Sequence, residues 1–266
     1  MAVHVEKNGP VTTVIMRRPE AKNAVDPETA RALHRAFLEF DRDPDAYVAV
    51  FFGDHGAFCA GYDLKALSSG EGEEWAHRIR FPDEPAAQVP PGPMGPSRLE
   101  LSKPVIAAVE GPAVAGGTEL ALWCDFRVMA EDAYFGIYCR RWGVPLIDGG
   151  TVRLPRLVGL GRALEIILTG RKVPAEEAYR IGMCEYLVPR GQARAKAEAL
   201  AHEIARFPQA CVRADRASAY RQQGHSVRDA LRQEYAISLP VIRAEAVTGA
   251  GRFAGGKGRH GDYREI

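Results

Sequence analysis

Three short apolar segments with helical patterns between them constrain the fold of this 266-residue chain more than any other feature. They are residues 48–52, 105–109 and 126–129. Strands that alternate with helices along the chain favour a largely parallel sheet, because each helix carries the chain back to the edge where the next strand begins. The sequence therefore predicts an α/β fold.

The segments before the first of these strands predict a hairpin and a helix. Residues 3–6 and 11–16 are rich in β-branched residues, and Asn8-Gly9 between them suits a tight turn. Asp26-Pro27 has the form of a helix N-cap followed by proline at the first helical position. Four apolar residues then fall on one helical face, namely Ala30, Leu33, Phe37 and Phe40.

The pattern changes after residue 150, where six segments are predicted to be helical: 152–157, 163–168, 175–181, 193–207, 209–221 and 227–248. We therefore predict one core domain over residues 1–195 and a C-terminal helical region over residues 196–266. Residues 81–96 hold many prolines and few apolar anchors, which predicts an irregular surface excursion that serves as a lid or a pocket wall.

Composition and charge exclude several classes of function. The formal net charge is +1 and no run of Lys or Arg stands out, so a nucleic-acid partner is not expected. The chain has neither an apolar signal core at its start nor an apolar run long enough to span a bilayer, which predicts a cytoplasmic protein without a membrane partner. The five cysteines are scattered and lack CxxC spacing, so neither a disulfide framework nor a metal site is expected.

Two glycine-rich stretches, residues 59–64 and 111–120, each end where a helix can begin. Backbone N–H groups at a helix start have no partner within the helix and point outward at the positive end of its dipole. Two such donors that converge on one carbonyl oxygen stabilise the anion that forms there during a reaction. The pair of stretches therefore predicts an oxyanion hole.

Segments 58–64, 103–111, 115–120, 149–151 and 153–159 together resemble the enoyl-CoA hydratase/isomerase (crotonase) superfamily. The resemblance runs in the same order from Arg18-Pro19 to about Val188. It implies a crotonase-like spiral of ββα units with a C-terminal helical trimerisation region. It also implies a homotrimer or homohexamer, an acyl-CoA thioester as substrate, and no cofactor apart from the coenzyme A that the substrate carries.

The resemblance assigns the two oxyanion donors to the backbone N–H groups of Tyr62 and Gly116. Glu119 follows Gly116 by three residues, in the first helical turn, where an acid or base for the α-carbon would be useful. Its position matches one of the two catalytic glutamates of the hydratases. The helix dipole favours the charged form of Glu119 and burial the neutral form, so the sequence leaves the direction of its pKa shift open.

The second glutamate of the hydratases falls at Cys139, whose reference pKa of about 8.5 differs from the value of about 4.3 for a glutamate. We expect Cys139 to line the substrate pocket as a small buried residue. Asp148 is the nearest candidate for a second acid, since isomerase-type members carry an Asp in this loop. It could equally cap the helix that begins near Gly149.

The resemblance also implies where coenzyme A binds. Lys22, Ala24, Ala60, Asp63 and Leu64 match positions near its adenine and phosphates. Phe253 and Lys257 loosely match an aromatic and basic pair that reaches coenzyme A, often from a neighbouring subunit. The alternative is that they belong to a frayed glycine-rich end.

Hydration of a 2-enoyl-CoA is the function that we place first. Double-bond isomerisation of an enoyl-CoA is the alternative, because it needs only proton transfer and Cys139 replaces the second glutamate. A non-catalytic relative that binds coenzyme A or RNA is a more remote hypothesis. A serine hydrolase is not supported, since the sequence contains no GxSxG motif.

Overall fold

The computed structural model describes residues 2–70, 79–81 and 89–258. It has a mixed α/β architecture, as predicted. Within these ranges there are nine strands: β1 Val3–Asn8, β2 Val11–Met16, β3 Val48–Gly53, β4 Val105–Val109, β5 Pro112–Val114, β6 Phe126–Ala130, β7 Tyr134–Gly136, β8 Lys172–Pro174 and β9 Tyr186–Val188. The described α-helices are α1 Pro27–Arg42, α2 Leu64–Ser68, α3 Gly116–Trp123, α4 Gly150–Val158, α5 Leu160–Thr169, α6 Ala175–Arg180, α7 Ala193–Ala205, α8 Gln209–Arg221, α9 Val227–Val241 and α10 Val247–Ala254.

Six strands form the main sheet in the order β1-β2-β3-β4-β6-β9. The predicted hairpin is confirmed, since β1 pairs antiparallel with β2. Every other pair in this sheet is parallel, which confirms the order of strands and helices read from the sequence. A smaller sheet of β5, β7 and β8 stands beside it. These three strands and β9 were not predicted, because a strand of three residues is too short to display a period.

Helices cover both faces of the main sheet. On one face α1 brings Phe37 to 5.1 Å from Phe51 and 4.9 Å from Trp123, measured between ring centroids. On the other face α7 packs through Ala197 and Leu200 in a second apolar cluster that includes Val50 and Ile106. Because neighbouring residues of β3 point to opposite faces, both clusters draw on the same strand.

The cap predicted for α1 is confirmed. The Asp26 Oδ1 atom accepts a hydrogen bond of 2.7 Å from the backbone N–H of Thr29, and Pro27 occupies the first helical position. This arrangement satisfies one of the N–H groups that a helix start leaves unpaired.

The C-terminal third is helical, as predicted, with a π-helical turn over Ile242–Ala246 between α9 and α10. The predicted domain boundary after residue 195 falls inside α7, a helix that packs on the main sheet. The division into two domains stays a prediction. Among the described residues, none of the helices is both long and apolar enough to cross a bilayer.

Candidate active site

A short parallel ladder joins the two glycine-rich stretches. The backbone N–H of Val114 donates to the Cys59 carbonyl oxygen at 2.9 Å, and the N–H of Cys59 donates to the Pro112 carbonyl oxygen at 3.2 Å. A Cβ atom on Gly117 would lie 2.1 Å from the Cys59 carbonyl oxygen, so this approach requires glycine. The two stretches that the sequence places fifty residues apart therefore meet at the start of α3.

Gly116 is the first residue of α3, and the chain turns into the helix at Ala115, whose φ of 54° is in the left-handed region. Across residues 2–70, 79–81 and 89–258, the Gly116 N–H donates to no protein acceptor. The Met94 side chain packs against Gly116. It is so close that a Cβ atom on Gly116 would lie 2.8 Å from the Met94 Sδ atom. An N–H group at the positive end of a helix thus lies at the wall of a cavity.

The Gly61–Tyr62 peptide is fixed by backbone pairing with the segment before α1. The N–H of Val25 donates to the Gly61 carbonyl oxygen at 2.8 Å, and the N–H of Asp63 donates to the Val25 carbonyl oxygen at 2.8 Å. Gly61 has a φ of 95°, and a Cβ atom on it would lie 3.2 Å from the Gly116 nitrogen. The structure therefore brings Tyr62 and Gly116, the two donors expected from the sequence, to the same place.

A cavity of about 240 Å³ opens beside these two peptides. Tyr62, Gly116, Glu119, Cys139 and Asp148 are among the residues that line it. Apolar side chains form much of the remaining wall, including Leu64, Leu67, Ile79, Met94, Val144 and Ile147. The lining suits an apolar group that extends from a polar reacting end.

Glu119 is only 3% exposed and its Oε1 atom accepts two backbone hydrogen bonds, from Asp148 at 2.9 Å and from Gly150 at 2.8 Å. Burial raises the pKa of Glu119 to about 8, and the negative charge of Asp148 adds to this effect. The two N–H donors and the nearby Arg153 guanidinium act in the opposite direction. The direction that the sequence left open is therefore decided by burial, and it places this carboxyl in the range useful for proton transfer at neutral pH.

Cys139 lies in the 3₁₀ turn Tyr138–Trp142 and is buried at the cavity wall, as expected. Burial raises the pKa of the Cys139 thiol, and the neighbouring Glu119 carboxyl raises it further. A neutral thiol is a weak base, so Cys139 does not substitute for a carboxylate at this position.

Asp148 is buried beside Glu119, and the cap of α4 is a different residue, Gly149. The Asp148 Oδ1 atom instead accepts hydrogen bonds from the Met94 N–H, at 2.9 Å, and from the Ser97 hydroxyl. The expectation that Asp148 could cap the helix is therefore wrong, because its carboxyl is directed to the segment that precedes β4.

Ala60 and Leu64 line the cavity with Tyr62, whereas Lys22, Ala24 and Asp63 are not among its described lining residues. We call the segments 22–24 and 60–64 the rim. The Ala60 N–H donates to the Lys22 carbonyl oxygen at 3.0 Å. Arg18 joins the other two residues of the rim: its Nη1 atom donates to the Ala24 carbonyl oxygen at 2.5 Å, and its Nη2 atom lies 3.1 Å from the Asp63 Oδ2 atom. Asp63 thus has a structural partner, and its contact with coenzyme A stays a prediction.

Phe253 and Lys257 lie at the end of the C-terminal helices, and both are exposed. Neither is among the described residues that line the cavity of this chain. Their contact with coenzyme A stays a prediction.

Sequence reasoning missed Met94, Ser97 and Arg153 as parts of the site. Residues 92–97 are buried, so the expected surface excursion is wrong for this part of the 81–96 segment, although its expected place in a pocket wall is right. Residues 82–88 of that segment lie outside the described residues. The proline and glycine content of residues 92–97 does not indicate burial. These residues are held by contacts with Asp148 and Arg153, which lie more than fifty positions away in the chain.

Comparisons with known proteins agree with this geometry. The pattern of the Enoyl-CoA hydratase/isomerase family matches residues 6–248. The chain is 40% identical over 207 residues to the enoyl-CoA hydratase EchA19 of Mycobacterium tuberculosis, covering 75% of this chain and 73% of that protein. It is 38% identical over 206 residues to the carnitinyl-CoA dehydratase of Salmonella typhi, covering 76% and 74%.

Solved structures show the same fold. A crystal structure of an enoyl-CoA hydratase from Mycobacterium tuberculosis matches with a TM-score of 0.85 and 35% identity, over 95% of each chain. The enoyl-CoA hydratase EchA1 from Mycobacterium marinum matches with a TM-score of 0.84 and 35% identity, again over 95% of each chain.

Proposed function

Because this chain belongs to the enoyl-CoA hydratase/isomerase family, we propose that it hydrates a 2-enoyl-CoA, with Glu119 as the acid-base residue. The observation that carries the proposal is the placement of a buried carboxyl, with a raised pKa, in one cavity with the Gly116 N–H at the start of α3. A carboxyl and an anion-stabilising donor are the two groups that enolate chemistry at a thioester requires.

In this proposal, the thioester carbonyl oxygen of the substrate accepts hydrogen bonds from the backbone N–H groups of Tyr62 and Gly116. As a nucleophile adds to the β-carbon, electrons move onto that oxygen and an enolate forms. Donors held in place by the protein stabilise the enolate more than the neutral thioester, which lowers the barrier. The pairing of Gly61 with Val25 and the turn at Ala115 hold the two donors before substrate binds.

One carboxyl can complete the hydration. The ionised Glu119 takes a proton from water as the water oxygen bonds to the β-carbon, and the neutral Glu119 then gives a proton to the α-carbon of the enolate. The carboxylate is regenerated, and the substrate gains one water molecule. Since the Oε1 atom accepts two backbone N–H groups, we assign both transfers to the Oε2 atom.

Isomerisation of a 3-enoyl-CoA is the alternative, and the position of Cys139 favours it. A second carboxylate at that position could hold the attacking water, whereas a neutral thiol does so poorly. Isomerisation needs no water: Glu119 would remove a proton from the α-carbon and return it to the γ-carbon of the same enolate.

The apolar cavity wall supports an apolar acyl chain as the substrate class. We propose that coenzyme A binds at the rim formed by residues 22–24 and 60–64. A homotrimer or homohexamer, in which Phe253 and Lys257 reach a neighbouring site, is part of the same proposal. It is supported by large exposed apolar side chains on α9 and α10, which include Val227, Leu231, Tyr235 and Val247. A cytoplasmic location stays a prediction.

A panel of acyl-CoA thioesters followed by mass spectrometry tests the proposal. The panel contains crotonyl-CoA, longer straight-chain 2-enoyl-CoAs, a 3-enoyl-CoA and carnitinyl-CoA. We expect the apolar 2-enoyl-CoAs to gain one water molecule faster than carnitinyl-CoA loses one, because aliphatic side chains form much of the cavity wall. Isobaric conversion of the 3-enoyl-CoA faster than any hydration would instead establish isomerisation.

The pH dependence of kcat/KM reports the state of Glu119. Because the ionised carboxyl starts the reaction and its pKa is about 8, kcat/KM should rise with pH and level off above that value. Hydration at pH 6 should be roughly 100-fold slower than on the plateau, as expected for one group with this pKa. Steady-state rates with crotonyl-CoA between pH 6 and pH 9.5 measure the curve. A rate that is flat across this range would contradict the assignment.

A further inference from the structure

Asp148 connects the two sides of the site through its backbone and its side chain. Its N–H donates a hydrogen bond of 2.9 Å to the Glu119 Oε1 atom. Its carbonyl oxygen accepts a hydrogen bond of 2.9 Å from the Arg153 Nη1 atom. Its Oδ1 atom accepts the Met94 N–H and the Ser97 hydroxyl. Arg153 closes the connection, since its Nη2 atom donates to the Ser97 carbonyl oxygen at 2.7 Å.

We propose that Asp148 is a positioning residue and not a second proton donor: its carboxyl fixes residues 92–97 over the cavity, and its negative charge sets the protonation of Glu119. The inference rests on the proposed function in one respect, which is that Glu119 transfers the protons.

The Asp148 Oδ1 atom lies in tightly packed surroundings. A tight turn lies against it, in which Gly92 and Gly95 exchange backbone hydrogen bonds of 3.0 and 2.8 Å. A Cβ atom on Gly92 would lie 1.8 Å from the Ser97 Oγ atom and 3.0 Å from the Asp148 Oδ1 atom. The Oδ1 atom is therefore engaged in holding residues 92–97, and the kinetics of the Asp148→Asn variant test whether the other oxygen, Oδ2, exchanges a proton with substrate.

The charge of Asp148 acts on Glu119 across a buried site. Burial raises the pKa of both carboxyls. The Ser97 hydroxyl and the Met94 N–H favour the Asp148 anion, and the Arg98 and Arg153 guanidiniums do so as well. A negative charge on Asp148 opposes ionisation of Glu119, because a like charge disfavours the charged form.

The other titratable groups around this pair do not carry a negative charge at neutral pH. The Cys139 thiol faces Glu119, and its raised pKa keeps it neutral. Burial raises the pKa of the Cys59 thiol to about 12, and the negative charge of Asp148 also acts to raise it. Among the described residues, Asp148 is thus the group whose negative charge raises the pKa of Glu119.

The Asp148→Asn variant tests the proposal, because an asparagine oxygen can still accept from Met94 and Ser97 while the charge is lost. We expect the midpoint of the kcat/KM curve to move to lower pH by about 1 pH unit or more, with the plateau reduced less than about tenfold. The ¹³C resonance of the Glu119 carboxyl, assigned with the Glu119→Gln variant, should titrate at the same lower pH in the free protein. This second readout needs no turnover, so it separates a failure of this inference from a failure of the proposed function.

Ser97→Ala is the matched control, since it removes one hydrogen bond to Asp148 and keeps the charge. Its midpoint should move less than that of Asp148→Asn. Loss of activity of about 10³-fold in Asp148→Asn at every pH would make Asp148 a proton donor and overturn the proposal. Equal midpoints in wild type and Asp148→Asn would overturn it too, as would equal shifts in Asp148→Asn and Ser97→Ala.

If Asp148→Asn does not fold, the Glu119→Gln variant provides the test. Asp148 should then show the infrared band of an ionised carboxylate at pH 7, identified by comparison with the Glu119→Gln, Ser97→Ala double variant. A protonated Asp148 at pH 7 would overturn the proposal, because a neutral group cannot oppose the ionisation of Glu119.

Discussion

Replacing Glu119 by glutamine should lower kcat for the preferred enoyl-CoA about 10³-fold and leave the binding of coenzyme A unchanged. The glutamine amide oxygen can still accept the N–H groups of Asp148 and Gly150, so the loop before α4 keeps its anchor. What disappears is the group that exchanges a proton with the α-carbon, and a positioned acid or base contributes about 10²–10⁴-fold. Steady-state kinetics and calorimetric titration with coenzyme A measure the two quantities.

The same substitution should make the protein more stable at high pH. The pKa of Glu119 is about 8 in the folded chain against 4.5 for the ordinary carboxyl, so the folded state binds its proton more tightly than the unfolded state. The free energy of unfolding of the wild type must therefore fall as pH rises from about 4.5 to about 8. A glutamine does not ionise, so the advantage of the variant over the wild type in thermal unfolding should be greater at pH 9 than at pH 5.

Glu110→Gln is a matched control for this variant. Glu110 is also a buried glutamate whose carboxylate accepts two backbone N–H groups, from Ala193 at 2.7 Å and from Gly191 at 3.1 Å. It is not one of the described residues around the cavity. Its replacement leaves an amide group facing an N–H donor, which should lower the free energy of unfolding by about 1–3 kcal/mol with little change in kcat. Full activity in Glu119→Gln would remove Glu119 from the mechanism.

The parts of this site that could be predicted from sequence are those specified by local chemistry. The helix start near Gly116 follows from a glycine-rich turn, and the cap at Asp26 follows from the residues next to it. Both depend on a few consecutive residues, and the backbone conformation of such a segment is limited by those residues themselves.

The parts that could not be predicted depend on distant contacts. Asp148 offered two local interpretations, a cap and a second acid, yet its carboxyl binds Met94 and Ser97, about fifty positions earlier in the chain. The direction of the Glu119 pKa shift required a comparison between burial and the helix dipole. Only the depth of α3 beneath the surrounding loops decides it, and no local pattern records that depth.

Replacing Gly61 by alanine should lower kcat and kcat/KM together, each about 10²–10³-fold, which is the effect of losing one oxyanion donor. The new Cβ atom would lie 2.9 Å from the Ala115 Cβ atom, 3.1 Å from the Val114 carbonyl oxygen and 3.2 Å from the Gly116 nitrogen. It would therefore separate the two peptides that are to bind the thioester oxygen. A donor that acts mainly on the enolate affects kcat more than KM, which distinguishes this loss from weaker binding of substrate.

Backbone strain alone does not explain the expected loss, and Gly56→Ala makes this testable. Gly56 has a φ of 75°, so alanine there is strained as it is at Gly61, but a Cβ atom would meet no other atom within 4 Å. Both variants should lose about 1–2 kcal/mol of unfolding free energy from the left-handed conformation. Only Gly61→Ala should also lose catalysis, because only its methyl group enters the space between Ala115 and Gly116. Equal kinetic losses in the two variants would mean that the loops respond to strain as a unit and that the contact at Gly116 has no special role.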